Sequence, residues 1–240
     1  KFRDYILSQL SPQILKETHG QVAEAIEKNA TGQEAMLAYH WGMNENVAKE
    51  QHYTLLAGEQ AVLNSAGKEA ISYLMRVLTI GGLSVQEQAH VHYQLALAHY
   101  SIGNLQLSLD HSRQGLEQLG FKVPTRMIGV IRSIIMQLIQ QFIPSVRAIY
   151  RYNRHSQETL RLAVRICVHM GQVLFFAGKR LETVQIAFLS GNLAEGTGKT
   201  AELLRAYSVV SYVYVSISFY RMSERYSQKT LAIIEEITDP

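Results

Sequence analysis

Residues 55–78, LLAGEQAVLNSAGKEAISYLMRVL, set the pattern for the whole chain. Apolar residues recur at helical spacing on both sides of a break that ends at Gly67. The small residues Gly58 and Ala70 lie one on each side of this break. The stretch therefore predicts two antiparallel helices joined by a short turn, with the small residues where the helices approach each other.

The same pattern returns further along the chain. Residues 95–116, LALAHYSIGNLQLSLDHSRQGL, align with the first copy at an offset of 38 residues, and two later copies are offset from each other by 40 residues. We expect large residues at Leu78, Leu116 and Leu231 to cover the joint with the next pair. The small-residue pairs of the four copies are Gly58/Ala70, Ala96/Ser108, Gly171/Thr183 and Ser211/Ser223.

Repeats of this length are typical of stacked helix pairs, because one pair cannot bury its apolar face alone. The windows resemble degenerate tetratricopeptide repeats, which implies an all-α, right-handed superhelical array of antiparallel helix pairs. We divide the chain into a helical segment (1–48), two repeats (49–118), an irregular longer hairpin with an apolar helix (119–158) and two further repeats (159–240).

The order of four stretches resembles one family over most of the chain. They are residues 15–26 (LKETHGQVAEAI), residues 38–41 (AYHW) with 53–78, residues 119–124 (LGFKVP) with the Ile-rich helix after them, and residues 187–196 with 206–231. Together they are similar to the helical region that follows the ATPase core and winged helix in STAND-type signalling proteins. That family includes nucleotide cyclases and serine/threonine kinase–histidine kinase fusions. The resemblance implies a regulatory segment, with the ATPase and the output chemistry elsewhere in a larger protein.

Composition sets limits on the class of protein. The 240 residues are 47% hydrophobic, with 4 Pro, a single Cys and a net charge of +3. This excludes wholesale disorder and a disulfide scaffold, and the charge is too small to argue for nucleic acid. Because the chain starts at Lys1 without a signal peptide, we expect a segment of a longer cytoplasmic protein.

Residues 196–200, GTGKT, end like a phosphate-binding loop. That loop also needs a glycine five positions before Gly198, where this chain has Leu193, and a strand before it, where the pattern predicts helix. We therefore predict a turn between helices and no bound cofactor. The rival interpretation is an enzyme that uses Lys199 on phosphate.

No metal-binding or nucleophilic pattern is visible. His90, His92 and His99 lack the i, i+4 spacing of helical metal sites. Cys167 lies among apolar residues and is predicted to be buried. We expect no metal and no catalytic residue in this chain.

A basic and aromatic run places Arg147, Arg151 and Arg154 beside Tyr150 and Tyr152. Arginine with aromatic side chains can bind nucleic acid. The spacing is also that of an ordinary exposed helix face, which we favour, so no nucleic-acid partner is expected.

Residues 127–143, MIGVIRSIIMQLIQQFI, form the most apolar stretch. Arg132 near its middle argues against a membrane span. We expect its apolar face to pack against neighbouring helices, while a membrane-surface helix and a partner-binding helix remain alternatives. That face consists of Ile128, Ile131, Ile135, Leu138 and Phe142.

First helices line the concave side of helical-repeat arrays, where partners bind. We expect this face to bind a protein or peptide, or neighbouring domains of the same chain, because exposed aromatics with arginine are typical of binding hot spots. The alternatives are a sensor that binds a small molecule there and simple packing between the repeats. The candidate residues are His90, Tyr93, Leu97, Tyr100, Arg165, Gln172, Phe175, Arg205 and Tyr212.

Overall fold

The computed structural model describes residues 11–29, 32–143, 155–198 and 200–238. Within these ranges the chain forms eleven helices and no strand, so the all-α prediction is confirmed. The helices are α1 Pro12–Asn29, α2 Glu34–Met43, α3 Val47–Leu63, α4 Gly67–Ile80, α5 Val85–Ser101, α6 Leu105–Gln118, α7 Met127–Phe142, α8 Gln157–Phe176, α9 Arg180–Ala194, α10 Ala201–Ser216 and α11 Tyr220–Thr238.

Five helix–helix connections share one three-residue turn, whose middle residue has a left-handed backbone conformation. In four of them the next residue donates its N–H to the carbonyl five positions earlier, which is the Schellman closure of a helix. The last four middle residues are spaced by 38, 75 and 40 positions. The first small residues of the four copies have the same three spacings. The middle residues are Glu45, Ser65, Gly103, Gly178 and Ser218, with φ of 62°, 58°, 79°, 71° and 62°.

The helices belong to two compact units. In the first, which contains α1 to α4 and residues 97–103, α1 packs on α2, α2 on α3 and α3 on α4. Ala23, Leu37 and Trp41 form its buried cluster, and the Trp41 indole donates a 2.9 Å hydrogen bond to Glu27. Lys49 lies 3.0 Å from the same carboxylate and 3.9 Å from the centroid of the indole ring.

The second unit contains residues 85–96 of α5 and helices α6 to α11. Here α8 packs on α6, α9 and α10, while α10 also packs on α9 and α11. The longest helix, α8, is the centre of this unit. Its fully buried side chains include Ile166, Cys167 and Leu174.

The small residues lie at helix contacts. Gly58, Ala96, Gly171 and Ser211 are all buried, as are Ala70, Ser108 and Ser223, while Thr183 is half-buried. Of the large residues expected at joints, Leu116 is fully buried and Leu78 is half-buried, but Leu231 is 58% exposed. The prediction that Leu231 packs at a joint between helix pairs is therefore wrong for the part of the chain that the structure describes.

The apolar helix α7 contradicts the sequence prediction. Ile128 is 84% exposed and Ile135 is 52% exposed, whereas Gln137 and Gln140 are buried. Of the predicted face, Ile131 and Phe142 are also exposed and Leu138 is half-buried. The prediction that this face packs against neighbouring helices is wrong, because α7 turns its glutamines toward α9 instead. The sequence predicts that α7 and a second helix form a hairpin ending at residue 158. Most of that second helix would fall in residues 144–154, which lie outside the described residues.

Candidate binding surface

The nine candidate residues lie on three first helices. His90 and Tyr93 are at the start of α5 in the second unit, and Leu97 and Tyr100 are at its end in the first unit. These four side chains are half-buried. The other five lie in the second unit and are exposed: Arg165, Gln172 and Phe175 on α8, and Arg205 and Tyr212 on α10.

An exposed aromatic pair joins α8 to α10. The ring centroids of Phe175 and Tyr212 are 6.1 Å apart in an edge-to-face arrangement, with the rings at 78°. Phe175 is 53% exposed and Tyr212 is 56% exposed, so most of the pair is open to solvent. Phe176 extends the aromatic surface, with its ring centroid 5.7 Å from that of Phe175.

A charged group lies on the same two helices. Arg165 Nε donates a 2.8 Å hydrogen bond to Glu202 Oε1 at the start of α10. Partial burial works to raise the pKa of Glu202, but the hydrogen bond and charge of Arg165, together with hydrogen bonds from the Glu202 backbone and Thr200, outweigh it, so that pKa is lowered. The carboxylate therefore stays charged and holds Arg165 in place.

Tyr93 belongs to the same neighbourhood. Burial raises the pKa of its phenol, while the positive charges of Arg165 and Arg205 act in the opposite direction. Its ring centroid is 6.3 Å from that of the buried His169. The structure thus places candidate residues from α5, α8 and α10 within electrostatic reach of one another.

A groove that the sequence analysis missed runs between α10 and α11. It has a volume of about 510 Å³ and is flanked by Tyr212 and Val215 on one side and Leu231 on the other. Ser211 lies at its floor and hydrogen-bonds Ser223 and Ser227, both at 2.9 Å. The sequence predicts Ser211 and Ser223 only as small residues at a helix contact, whereas the hydroxyl-rich composition of positions 208–230 is the signal that could have indicated the groove.

A second cavity is much smaller. It measures about 60 Å³ and lies among Arg113, Pro124, Lys179, Glu182 and Gln185. Pockets that bind drug-sized ligands measure roughly 300–1,000 Å³. This cavity has room for a few water molecules and does not suit a small-molecule sensor.

Within the described ranges, no group of three or more His, Cys, Asp and Glu side chains could hold a metal. His92 pairs with His111, with 3.2 Å between the Nδ1 atoms, and His99 is buried. Cys167 is fully buried, as predicted, and burial raises the pKa of its thiol. A thiol in this state is a poor nucleophile.

The segment that resembles a phosphate loop follows α9 and leads into α10. Thr197 donates a 2.7 Å hydrogen bond to the Ala194 carbonyl, and Thr200 caps α10 by accepting from Leu203 N. The preceding element is a helix, as the sequence indicated. Lys199 lies outside the described residues, as do Arg147, Arg151 and Arg154.

Among the helices that the structure describes, one, α8, is long and apolar enough to cross a membrane by length and composition. In the structure, 61% of its apolar window is buried within the protein. The core helix of a soluble protein passes the same test, so this is weak evidence for a span.

Comparisons with protein-family models, with curated proteins and with solved structures give no match. The likeness to STAND-type proteins therefore rests on the sequence features alone.

Proposed function

We propose that this chain is a non-catalytic interaction and regulatory segment of a larger, cytoplasmic, ATP-dependent signalling protein of the STAND type. Its helix pairs form a right-handed tetratricopeptide-like array. The segment takes no cofactor and performs no chemistry. It binds a peptide or a neighbouring domain and thereby biases a switch elsewhere in the protein, since a ligand shifts an equilibrium by its differential affinity for the two states.

Three features support the array. The left-handed turn residues repeat with the period of the small-residue pairs. In the second unit, α8 packs on α6 and α10 packs on α9, so the second helix of one pair contacts the first helix of the next. The first helices α8 and α10 also contact each other. Stacked helix pairs make such nearest-neighbour contacts.

The aromatic pair Phe175–Tyr212 carries the binding proposal. Two large rings held edge to face and left mostly exposed offer a rigid apolar anchor site. Arg205 is exposed on the same helix as Tyr212 and supplies a positive charge. We propose that the preferred ligand combines an apolar anchor residue with an acidic one.

The test is selection from a random peptide library on the immobilised chain, followed by affinity measurements on the selected peptides. Phe175→Ala and Tyr212→Ala should each weaken binding at least about tenfold, as expected for hot-spot residues. Tyr220→Ala is the control, because Tyr220 is equally exposed on α11 and lies outside the pair. Peptides that bind the two variants as well as the original chain would contradict the proposal.

A small-molecule sensor is the second candidate. The groove between α10 and α11 favours it, since its volume lies within the usual range of ligand pockets and its lining is rich in hydroxyls. A metabolite that raises the melting temperature of the chain, but not that of a Ser227→Leu variant with a filled groove, would support this function. Failure to find such a metabolite while peptides bind would favour the interaction segment.

A further inference from the structure

Helix α7 carries a row of apolar side chains on its outward side. The face that its sequence would bury is instead open to solvent, and the exposed side chains run along its whole length. Met127 and Ile128 begin this surface, and Phe142 ends it. A contiguous exposed apolar surface of this kind marks an interaction site in a folded protein. The exposed apolar residues are Met127, Ile128, Ile131, Ile135, Phe142 and Ile143.

Specific polar contacts fix this orientation. Asn192 on α9 donates from Nδ2 to Gln137 Oε1 at 2.6 Å and to the Gln137 carbonyl at 3.1 Å. Tyr214 on α10 donates a 2.6 Å hydrogen bond to Gln141 Oε1. Rotating α7 to bury its isoleucines would break these bonds and leave buried polar groups without partners. The outward apolar face is therefore built into the packing of the second unit.

Along the sequence, the charged residues next to α7 are all basic. From residue 118 to residue 157 the sequence contains no Asp or Glu, but one Lys and five Arg. This stretch carries +6 of a chain whose net charge is +3, so the remainder is net negative. In the described part of the stretch, Lys122, Arg126 and Arg132 are all exposed.

We infer that α7 docks on an anionic lipid surface, with its outward isoleucines in the interfacial layer and the exposed Lys122, Arg126 and Arg132 against the head groups. An exposed apolar stripe, no acidic residue and flanking cations are the combination that binds such membranes. The helix has 16 residues, about 24 Å at 1.5 Å per residue, whereas a span needs about 20 residues. It therefore lies in the plane of the interface. An acidic protein segment would satisfy the charge alone, whereas the exposed isoleucines also need an apolar layer.

Vesicle flotation with the whole 240-residue chain tests this inference. The probes are vesicles of phosphatidylcholine alone and of phosphatidylcholine with phosphatidylserine. The chain should float with the phosphatidylserine vesicles and much less with the neutral ones. Added salt should weaken binding, because it screens the exposed cations.

Two variants separate the apolar and electrostatic contributions. The double substitution Ile128→Ser with Ile131→Ser should lower the vesicle partition coefficient at least about tenfold, since it removes apolar surface from the interface. The double substitution Arg126→Gln with Arg132→Gln should remove the preference for phosphatidylserine. Leu63→Ser is the matched control, because Leu63 is 78% exposed on α3, and it should leave binding unchanged. Circular dichroism checks that every variant keeps its helices.

Several results would overturn the inference. These are no flotation with either vesicle, equal flotation with neutral and anionic vesicles, or a loss of binding with Leu63→Ser as large as with the α7 variant. Analytical ultracentrifugation adds another readout. A dimer that the isoleucine variant converts to monomer, without vesicle binding by the original chain, would assign the α7 face to a second copy.

Discussion

Ser108 donates a 2.8 Å hydrogen bond from its hydroxyl to the carbonyl oxygen of Ala96, and both residues are fully buried. These are the two small positions of the second repeat. The same hydroxyl lies 3.1 Å from Nε2 of His169 on α8. One side chain therefore connects both helices of a pair to the first helix of the next.

Ser108→Ala should destabilise the protein by about 1–3 kcal/mol, because it removes these contacts and leaves a buried imidazole with fewer partners. Ser112→Ala is the control on the same helix. Ser112 is equally buried, but its hydroxyl bonds only within its own helix, to the Ser108 carbonyl. Such back-bonding contributes little to helix stability. Urea unfolding measures both variants, and equal losses would show that the bridge to α5 and α8 is unimportant.

A second prediction compares one repeat position in two copies. A Cβ added at Gly58 would lie 2.8 Å from Leu74 Cδ2, whereas one added at Gly171 would lie 3.8 Å from its nearest neighbour, Ile186. Gly58→Ala should therefore overpack a buried contact and destabilise by about 1–2 kcal/mol. Gly171→Ala should instead stabilise by about 0.5–1 kcal/mol, since alanine is the better helix former.

Thermal and urea unfolding of the two single variants decide this prediction. The opposite signs are the essential result. If both substitutions stabilise, the close approach of α3 and α4 at Gly58 is looser than the structure indicates. If both destabilise, the contact at Gly171 is tighter than its 3.8 Å distance implies.

The helix pairs could be predicted because the determinants are local. Small residues such as Gly58 and Ser211 mark helix contacts whatever the wider arrangement, and turn glycines such as Gly103 end helices through their own backbone preference. Phe175 and Tyr212 were predicted as separate candidates because first helices line the concave side of repeat arrays, but their edge-to-face contact was not predicted.

The orientation of α7 could not be predicted by the same reasoning. Helical periodicity indicates that Ile128, Ile131 and Ile135 share a face, but not which face is turned inward. That choice depends on Asn192 and Tyr214, which are more than 50 residues away and bind the glutamines. The groove beside α11 could not be predicted for a related reason. Its existence depends on the distance between α10 and α11, which the sequence of neither helix indicates.

The turn residue Ser65 gives a third prediction. It has a φ of 58°, a left-handed conformation that disfavours residues with a Cβ atom. Ser65→Gly should stabilise the protein by about 0.5–1 kcal/mol, because the equivalent turns at Gly103 and Gly178 already use glycine. Ser72→Gly, on the exposed side of α4, should destabilise it by about 0.5 kcal/mol. Loss of stability in both variants would indicate that the Ser65 side chain makes a needed contact.

Buried and half-buried histidines give the fourth prediction, a loss of stability in acid. Burial lowers the pKa of His169, His92 and His99 below the ordinary value of 6.5. The unfolded chain then binds more protons than the folded one in the window below pH 6.5. The stability is fully present above pH 6.5 and is lost as the pH falls from there toward the folded-state pKa values.

We therefore expect the free energy of unfolding, measured in urea, to fall between pH 7 and pH 5, by at most about 1.4 kcal/mol per pH unit for each titrating group. His169→Gln should flatten this dependence, because glutamine keeps a polar side chain beside Ser108 and does not titrate. Ser72→Gly, which changes no titratable group, should leave the slope unchanged. The result against this account would be a stability independent of pH across the window, since it would mean that the buried imidazoles are protonated equally in both states.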